Sequence, residues 1–264
     1  MLGAIVGDMV GSVYEWHNIK TTEFPLFSEN SRVTDDSVMT IAVAHTLLDA
    51  FDGQNVSQSA LVRKMQSYGK LYPDAGYGGK FRRWLKSPYP KPYNSYGNGS
   101  AMRVSPVAWA ASTLEDAERL AAATAEVTHN HPEGMKGAQA TAACIMLARL
   151  GASNADIRDY VEQKYAYYLG FTLDDIRPLY GFDVSCQGSV PQAIVAFLEG
   201  TSFEDVIRRA ISIGGDSDTI AAIAGSIAQA RYGIPEDIAE EAAKRMPGHL
   251  RSICELFCTR FNVS

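Results

Sequence analysis

Cysteine is scarce in this chain and unpatterned. Its four thiols, Cys144, Cys186, Cys254 and Cys258, show neither a zinc spacing nor the density of a disulfide scaffold. A secreted disulfide framework is excluded, and a reducing, cytoplasmic setting is expected. Basic clusters are missing too: no run of Lys or Arg exceeds a pair, and 30 acidic against 24 basic residues give a formal net charge of -6. A protein that tracks a nucleic-acid backbone carries a basic stripe, so nucleic acid is not expected as a partner in its own right. The first residues, MLGAIVGDMVGSVYEW, lack a basic leader and carry Asp8 and Glu15. They read as neither a signal peptide nor a membrane span.

Convincing period-two alternation is also absent, and helical periodicity stands in its place. Leu2, Ile5, Met9, Val13 and Trp16 recur at three- and four-residue steps, as do Val38, Ile41, His45 and Leu48. Further helical stretches fit residues 61–68, 114–127, 137–150, 157–168, 191–198, 203–213, 217–232, 235–245 and 249–261. The fold class expected is therefore all-α. With 46% hydrophobic and 20% charged residues in 264, the chain can bury a sizeable core, and no linker-like shift in composition divides it. One domain over residues 1–264 is the simplest organisation. Residues 72–106 and 170–191, dense in Gly, Pro, Asn and Tyr, read as long loops, and such loops in folded domains are usually functional.

Oxygen ligands collect at two helix mouths. In TDDSVMT, Thr34, Asp35 and Asp36 precede an apolar helix; in GGDSDTIAAIAG, Asp216, Asp218 and Thr219 do the same. Each set alone reads as helix capping, with acids suited to the helix dipole. Together they offer four carboxylates and two hydroxyls, the hard donors that magnesium or manganese requires. If the two mouths converge, the carboxylates would repel one another unless cations lay between them, and a two-metal site would relieve that repulsion.

Other features surround these. Gly3, Gly7 and Gly11 lie four apart and give a face free of side chains for close helix contact. Asp8 and Glu15, two turns apart, share one face; either can be a solvated surface acid, while Tyr14 and Trp16 beside Glu15 could shelter its carboxylate. YNSYGNGSAMR offers backbone amides at Gly97 and Gly99 that could hold a phosphate without a lysine, and GYGGK could add a second nest of that kind. In EVTHNHPEG, His129 reads as a hydrogen-bonding pocket residue and His131 as turn structure, since no third ligand for a zinc site is in view. Tyr and Phe of residues 170–191 are candidates for stacking on a base.

The segments GAIVGDMVGSVYE, TDDSVMT, YGNGSAMRVSP, THNHPEG and GGDSDTIAAIAGSIAQARYG occur in the order seen in the ADP-ribosylglycohydrolases, and over nearly the whole chain the sequence resembles that family. The resemblance implies an orthogonal helical bundle and a binuclear centre of two divalent cations, Mg²⁺ or Mn²⁺, held by Thr34, Asp35, Asp36, Asp216, Asp218 and Thr219. It implies ADP-ribose contacts at Gly78, Ser95, Tyr96, Gly97, Asn98, Gly99 and His129. The implied activity is hydrolysis of the glycosidic bond between ADP-ribose and a protein, small-molecule or nucleic-acid acceptor, with Glu15 as the candidate acid/base. Arginine-specific members carry an Asp three residues before the Asn of Gly-Asn-Gly. Here that residue is Ser95, as in the serine-directed branch, which puts arginine specificity in doubt. Two other readings compete. An all-α magnesium-dependent enzyme of diphosphates would place a further acid where Met39 stands, and a catalytically inactive ADP-ribose-binding relative would be expected to have lost a metal carboxylate.

Overall fold

In the computed structural model, which describes residues 1–263, fifteen helices follow one another. They are α1 (Leu2–Gly11), α2 (Asp35–Ala50), α3 (Gln58–Leu71), α4 (Gly79–Leu85), α5 (Gly99–Met102), α6 (Ser105–Ala110), α7 (Leu114–Glu126) and α8 (Pro132–Arg149), then α9 (Asn154–Tyr165), α10 (Leu173–Ile176), α11 (Cys186–Glu199), α12 (Phe203–Ser212), α13 (Ser217–Tyr232), α14 (Glu236–Arg245) and α15 (Gly248–Phe261). Strands are absent among the described residues; two isolated bridges, Phe51 with Val56 and Gly97 with Ser185, are the only β pairing there. No described helix is long and apolar enough to cross a membrane.

A helix that is apolar on all sides has to be buried on all sides. The sequence SDTIAAIAGSIAQARY meets that condition as α13, enclosed from Ser217 to Gln229. Around it pack α1, α8, α11 and α12, and one hydrophobic core runs from Met1 to Phe257. The closest approach is between α1 and α13, where the glycine face predicted from spacing does its work. A Cβ on Gly3 would lie 2.2 Å from the Gly225 carbonyl oxygen, one on Gly7 2.1 Å from that of Ala221, and one on Gly11 2.4 Å from the Asp218 Cα. The obstacles are backbone atoms, which cannot swing aside. Gly7→Ala should therefore cost about 1–3 kcal/mol or more by overpacking and, by shifting the start of α13, weaken divalent-cation binding as well. Gly248→Ala is the control, since a Cβ there meets nothing within 4 Å. Thermal unfolding and calorimetric cation titration of both variants check this.

Four expectations of extent are corrected. The first helix stops at Gly11 instead of running to Trp16: the Ser12 hydroxyl donates to the Met9 carbonyl at 2.8 Å, the acceptor the Val13 amide would need, and the Tyr14 amide bonds only three residues back, to Gly11, at 2.8 Å. The helix expected from Pro191 begins at Cys186, capped by the Ser185 hydroxyl on the Gly188 amide, with Pro191 inside it. The helix expected from Gly137 begins at Pro132, with the His131 side chain accepting from the Glu133 amide; His131 is thus a helix cap. Residues 72–106 and 170–191, read as loops, contain α4, α5, the start of α6 and α10. These helices are of four to seven residues, too short to leave a periodic signature.

Candidate active site

Glycine packing between α1 and α13 brings the start of α13 beside the start of α2, and both acidic sets open onto one cleft of about 410 Å³. Glu15, Asp35, Asp36, Asp216, Asp218 and Thr219 all line it. Glu15, Asp216 and Asp218 each present a carboxylate oxygen within 4.8 Å of the other two.

The capping explanation holds for one mouth and fails at the other. Thr34 caps α2, its hydroxyl accepting from the Asp36 amide at 3.3 Å. Asp216 stands in the capping position of α13 but makes no capping bond. Its carboxylate instead accepts from Asn98 Nδ2 at 2.6 Å, and that amide also donates to Ser189 Oγ at 2.9 Å. Asn98, expected against the ligand, thus spends its side-chain amide holding Asp216.

Asp8, for which a solvated position had been an open reading, is fully buried beneath the α2 mouth. It accepts from the Thr34 hydroxyl at 2.6 Å, the Thr34 amide at 2.9 Å and the Ser37 amide at 3.1 Å, and from the Ser37 hydroxyl. The Thr34 hydroxyl therefore gives its hydrogen to Asp8, and what it retains is acceptor capacity.

So many carboxylates in one enclosed space resist ionisation. Burial, then Asp8 and Asp216, push Asp35 up to about 8. Burial, then Asp216 and Asp8, push Glu15 up to about 7. Asp36 and Asp218 are driven well above the carboxylate range, first by burial and then by neighbouring acids. The Asp36 Oδ2 atom is buried with no hydrogen-bond partner. An orphaned carboxylate oxygen among mutually repelling acids fits a hard divalent cation with oxygen ligands.

A pH dependence follows. These folded-state pKa values lie above the unfolded values of about 4, so the cation-free protein binds extra protons. Its stability is greatest below about pH 4 in this respect and is lost as pH rises through about 7 and 8, the values of Glu15 and Asp35. In chelator, the unfolding temperature should fall between pH 5 and pH 8, and Mg²⁺ or Mn²⁺ should restore it most at pH 8, where fewest protons must be displaced. A chelator-insensitive profile would speak against a cation site.

The glycine-rich segments line the same cleft beside the acids. Gly76, at φ +111°, leaves 3.1 Å between a notional Cβ and Asp35 Oδ1, so only glycine fits there. Gly78, which lines the cleft, has an ordinary φ of -57°, and a Cβ on it would meet nothing within 4 Å. Ser95, Gly97 and Gly99 line the same wall with His129, Lys80 and Arg103. The Ser95 hydroxyl accepts from the Gly97 amide at 3.2 Å. Tyr96 departs from its expected place: its ring is about half exposed, at 52%, and packs on His131 with centroids 5.3 Å apart. Of Tyr96, the backbone carbonyl serves this wall by accepting from the Cys186 amide at 2.9 Å.

Trp16, next to Glu15 in the chain, also lines the cleft and stacks on Phe182 with ring centroids 5.3 Å apart. Phe182 is thus the aromatic of residues 170–191 that reaches the cleft rim. Sequence reading set Trp16 beside Glu15, but missed Asp8 as a support and the cations Lys80 and Arg103. The Asp8–Glu15 spacing and the Arg closing YGNGSAMR were the signals available.

A sequence profile described as ADP-ribosylglycohydrolase matches residues 1–262. The mouse protein named ADP-ribosylhydrolase ARH3 is 29% identical over 315 aligned positions, spanning 89% of this chain and 83% of that protein. The ADP-ribosyl-[dinitrogen reductase] glycohydrolase of Rhodospirillum rubrum is 26% identical, spanning 89% and 85%. Among solved structures, a chain titled ADP-ribosylglycohydrolase-related protein complex superposes with a TM-score of 0.75 at 22% identity, covering 98% of this chain and 95% of that one. That last likeness carries the fold.

Proposed function

This chain belongs to the ADP-ribosylglycohydrolase family, whose members hydrolyse ADP-ribose linkages, and on that premise we propose that it is a cation-dependent hydrolase releasing ADP-ribose from a modified acceptor. The observation that carries this reading is the meeting of Glu15, Asp216 and Asp218 oxygens within 4.8 Å, in a cleft that Asp36 and the glycine-rich segments also line. Thr34, Asp35, Asp36, Asp216, Asp218 and Thr219 would hold two divalent cations, Mg²⁺ or Mn²⁺. When bound, these would supply the positive charge that fixes ribose hydroxyls and acidifies a water.

The chain's own groups account for the rest. The Gly78 turn, the Gly99 amide and Lys80 would take the diphosphate, and their charge and dipoles favour an anion there. His129 and Ser95 stand where they can position the ligand by hydrogen bonds. Glu15, pushed up to about 7 by burial and by Asp216 and Asp8 in the cation-free protein, lies among the acids that line the cleft. Its carboxyl can give a proton to the departing acceptor or take one from the incoming water. Positive charge developing at the anomeric carbon is stabilised by the acids around it. With Ser95 in place of an Asp, an O-linked acceptor is favoured over arginine.

The test is release of free ADP-ribose from serine-linked, arginine-linked, nucleobase-linked and O-acetyl substrates, with Mg²⁺, Mn²⁺ or chelator. No release from any of them with either cation would overturn the proposal. Gly78→Val adds a structural check. It should leave the unfolding temperature unchanged, because the protein leaves that space open, yet weaken ADP-ribose binding about tenfold or more by filling ligand space.

A further inference from the structure

Arg103 is a charged side chain in the wrong medium. It is 2% exposed, its Nε has no partner, and it forms no ion pair among the described residues. One terminal nitrogen donates to the Gly99 carbonyl at 2.7 Å and the other to Thr128 Oγ1 at 2.8 Å. A buried guanidinium without a carboxylate is costly, and these two acceptors are what offset that cost.

Thr128 Oγ1 also lies 2.7 Å from His129 Nδ1 and 3.5 Å from the Ala125 carbonyl. The hydroxyl has one hydrogen. A guanidinium cannot accept it, so it goes to Nδ1 or to Ala125, and the shorter, better-formed contact is to Nδ1. Nδ1 is then the acceptor and Nε2 carries the hydrogen. Nε2 is the atom facing the glycine wall: a Cβ on Gly97 would lie 3.6 Å from it, and one on Gly99 3.5 Å. Burial, and then Arg103, hold the imidazole well below its usual pKa, so it stays neutral.

We propose that Arg103, acting through Thr128, is a positioning residue that locks His129 in the Nε2–H form, so that this wall presents a fixed, neutral donor to an oxygen of the bound ligand. A tautomer set by the hydrogen bond on the far nitrogen is a general property of histidine. Here the chain is guanidinium to hydroxyl, hydroxyl to Nδ1, and Nε2–H to the cleft. That the oxygen belongs to ADP-ribose rests on the function proposed above; the tautomer does not.

Long-range ¹H–¹⁵N correlation spectra of the ligand-free protein read the tautomer directly. Nδ1 of His129 should appear unprotonated and Nε2 protonated, and the reverse assignment would overturn the proposal. Thr128→Val keeps the side-chain volume but removes the hydroxyl, and Arg103→Lys keeps the charge but not the fork. Each should shift the His129 tautomer population and weaken ADP-ribose binding about tenfold. A purely structural role would lower the unfolding temperature of both variants while His129 stayed wholly Nε2–H, and that result also overturns the proposal. Should Arg103→Lys fail to fold, Thr128→Val decides alone. If the parent protein binds no ADP-ribose, the function proposal falls, and the spectra still decide this one.

Discussion

Asparagine in place of Asp36 or Asp218 should lower ADP-ribose release by about 10³-fold or more and abolish saturable Mn²⁺ binding. Charge stabilisation by a bound cation is worth several kcal/mol, and each 1.36 kcal/mol is a factor of ten in rate. Both carboxylates are buried and are held well above their usual pKa by burial and by acidic neighbours. An amide of nearly the same shape relieves that repulsion. Without cation, either variant should therefore unfold at the same temperature as the parent or a higher one, most clearly at pH 8. Loss of turnover with gain of cation-free stability is a combination that misfolding does not produce. Measuring unfolding in chelator beside the turnover assay tests both halves.

Glu15→Gln should lower kcat by about 10²- to 10⁴-fold, the usual worth of a positioned proton donor or acceptor, with ADP-ribose affinity close to that of the parent. Glutamine has nearly the shape of a protonated Glu15 carboxyl, so the turn should keep its form. Because a Glu15 oxygen lies within 4.8 Å of Asp216 and Asp218 oxygens, Mn²⁺ titration separates two roles. Binding retained with turnover lost assigns Glu15 to proton transfer, whereas binding lost makes it a cation ligand instead.

The sequence made some of this visible because the physics there is local. Gly3, Gly7 and Gly11 repeat at the helical step, and nothing but close helix contact explains three missing side chains on one face. Apolar residues all round α13 require a buried helix wherever the rest of the chain lies. Hard oxygen donors at two helix starts were legible as a set, but their meeting was not, because it depends on how α1 packs against α13.

What stayed hidden was set by tertiary contacts. Asp216 fits a capping position by sequence, and Asn98, far away in the chain, draws its carboxylate out of that role. Asp8 looks like a surface acid on a helix until the hydroxyls and amides of Thr34 and Ser37 are folded over it. Arg103 follows a glycine-rich turn of no evident charge requirement, and its burial against Thr128 and Gly99 is a property of the closed fold. Tyr96 sits in the recognised motif, yet alternation along the chain sends its ring outward onto His131. The short helices α4, α5 and α10 were missed because four to seven residues hold too few turns for a period to show.

Anomalous diffraction at the manganese edge, from crystals grown with Mn²⁺ and ADP-ribose, locates the cations directly. Two peaks are expected between the starts of α2 and α13, within coordination distance of Asp36, Asp216 and Asp218, with the distal ribose over them. Peaks confined to the protein surface, or none in a cleft that nevertheless holds ADP-ribose, would contradict this.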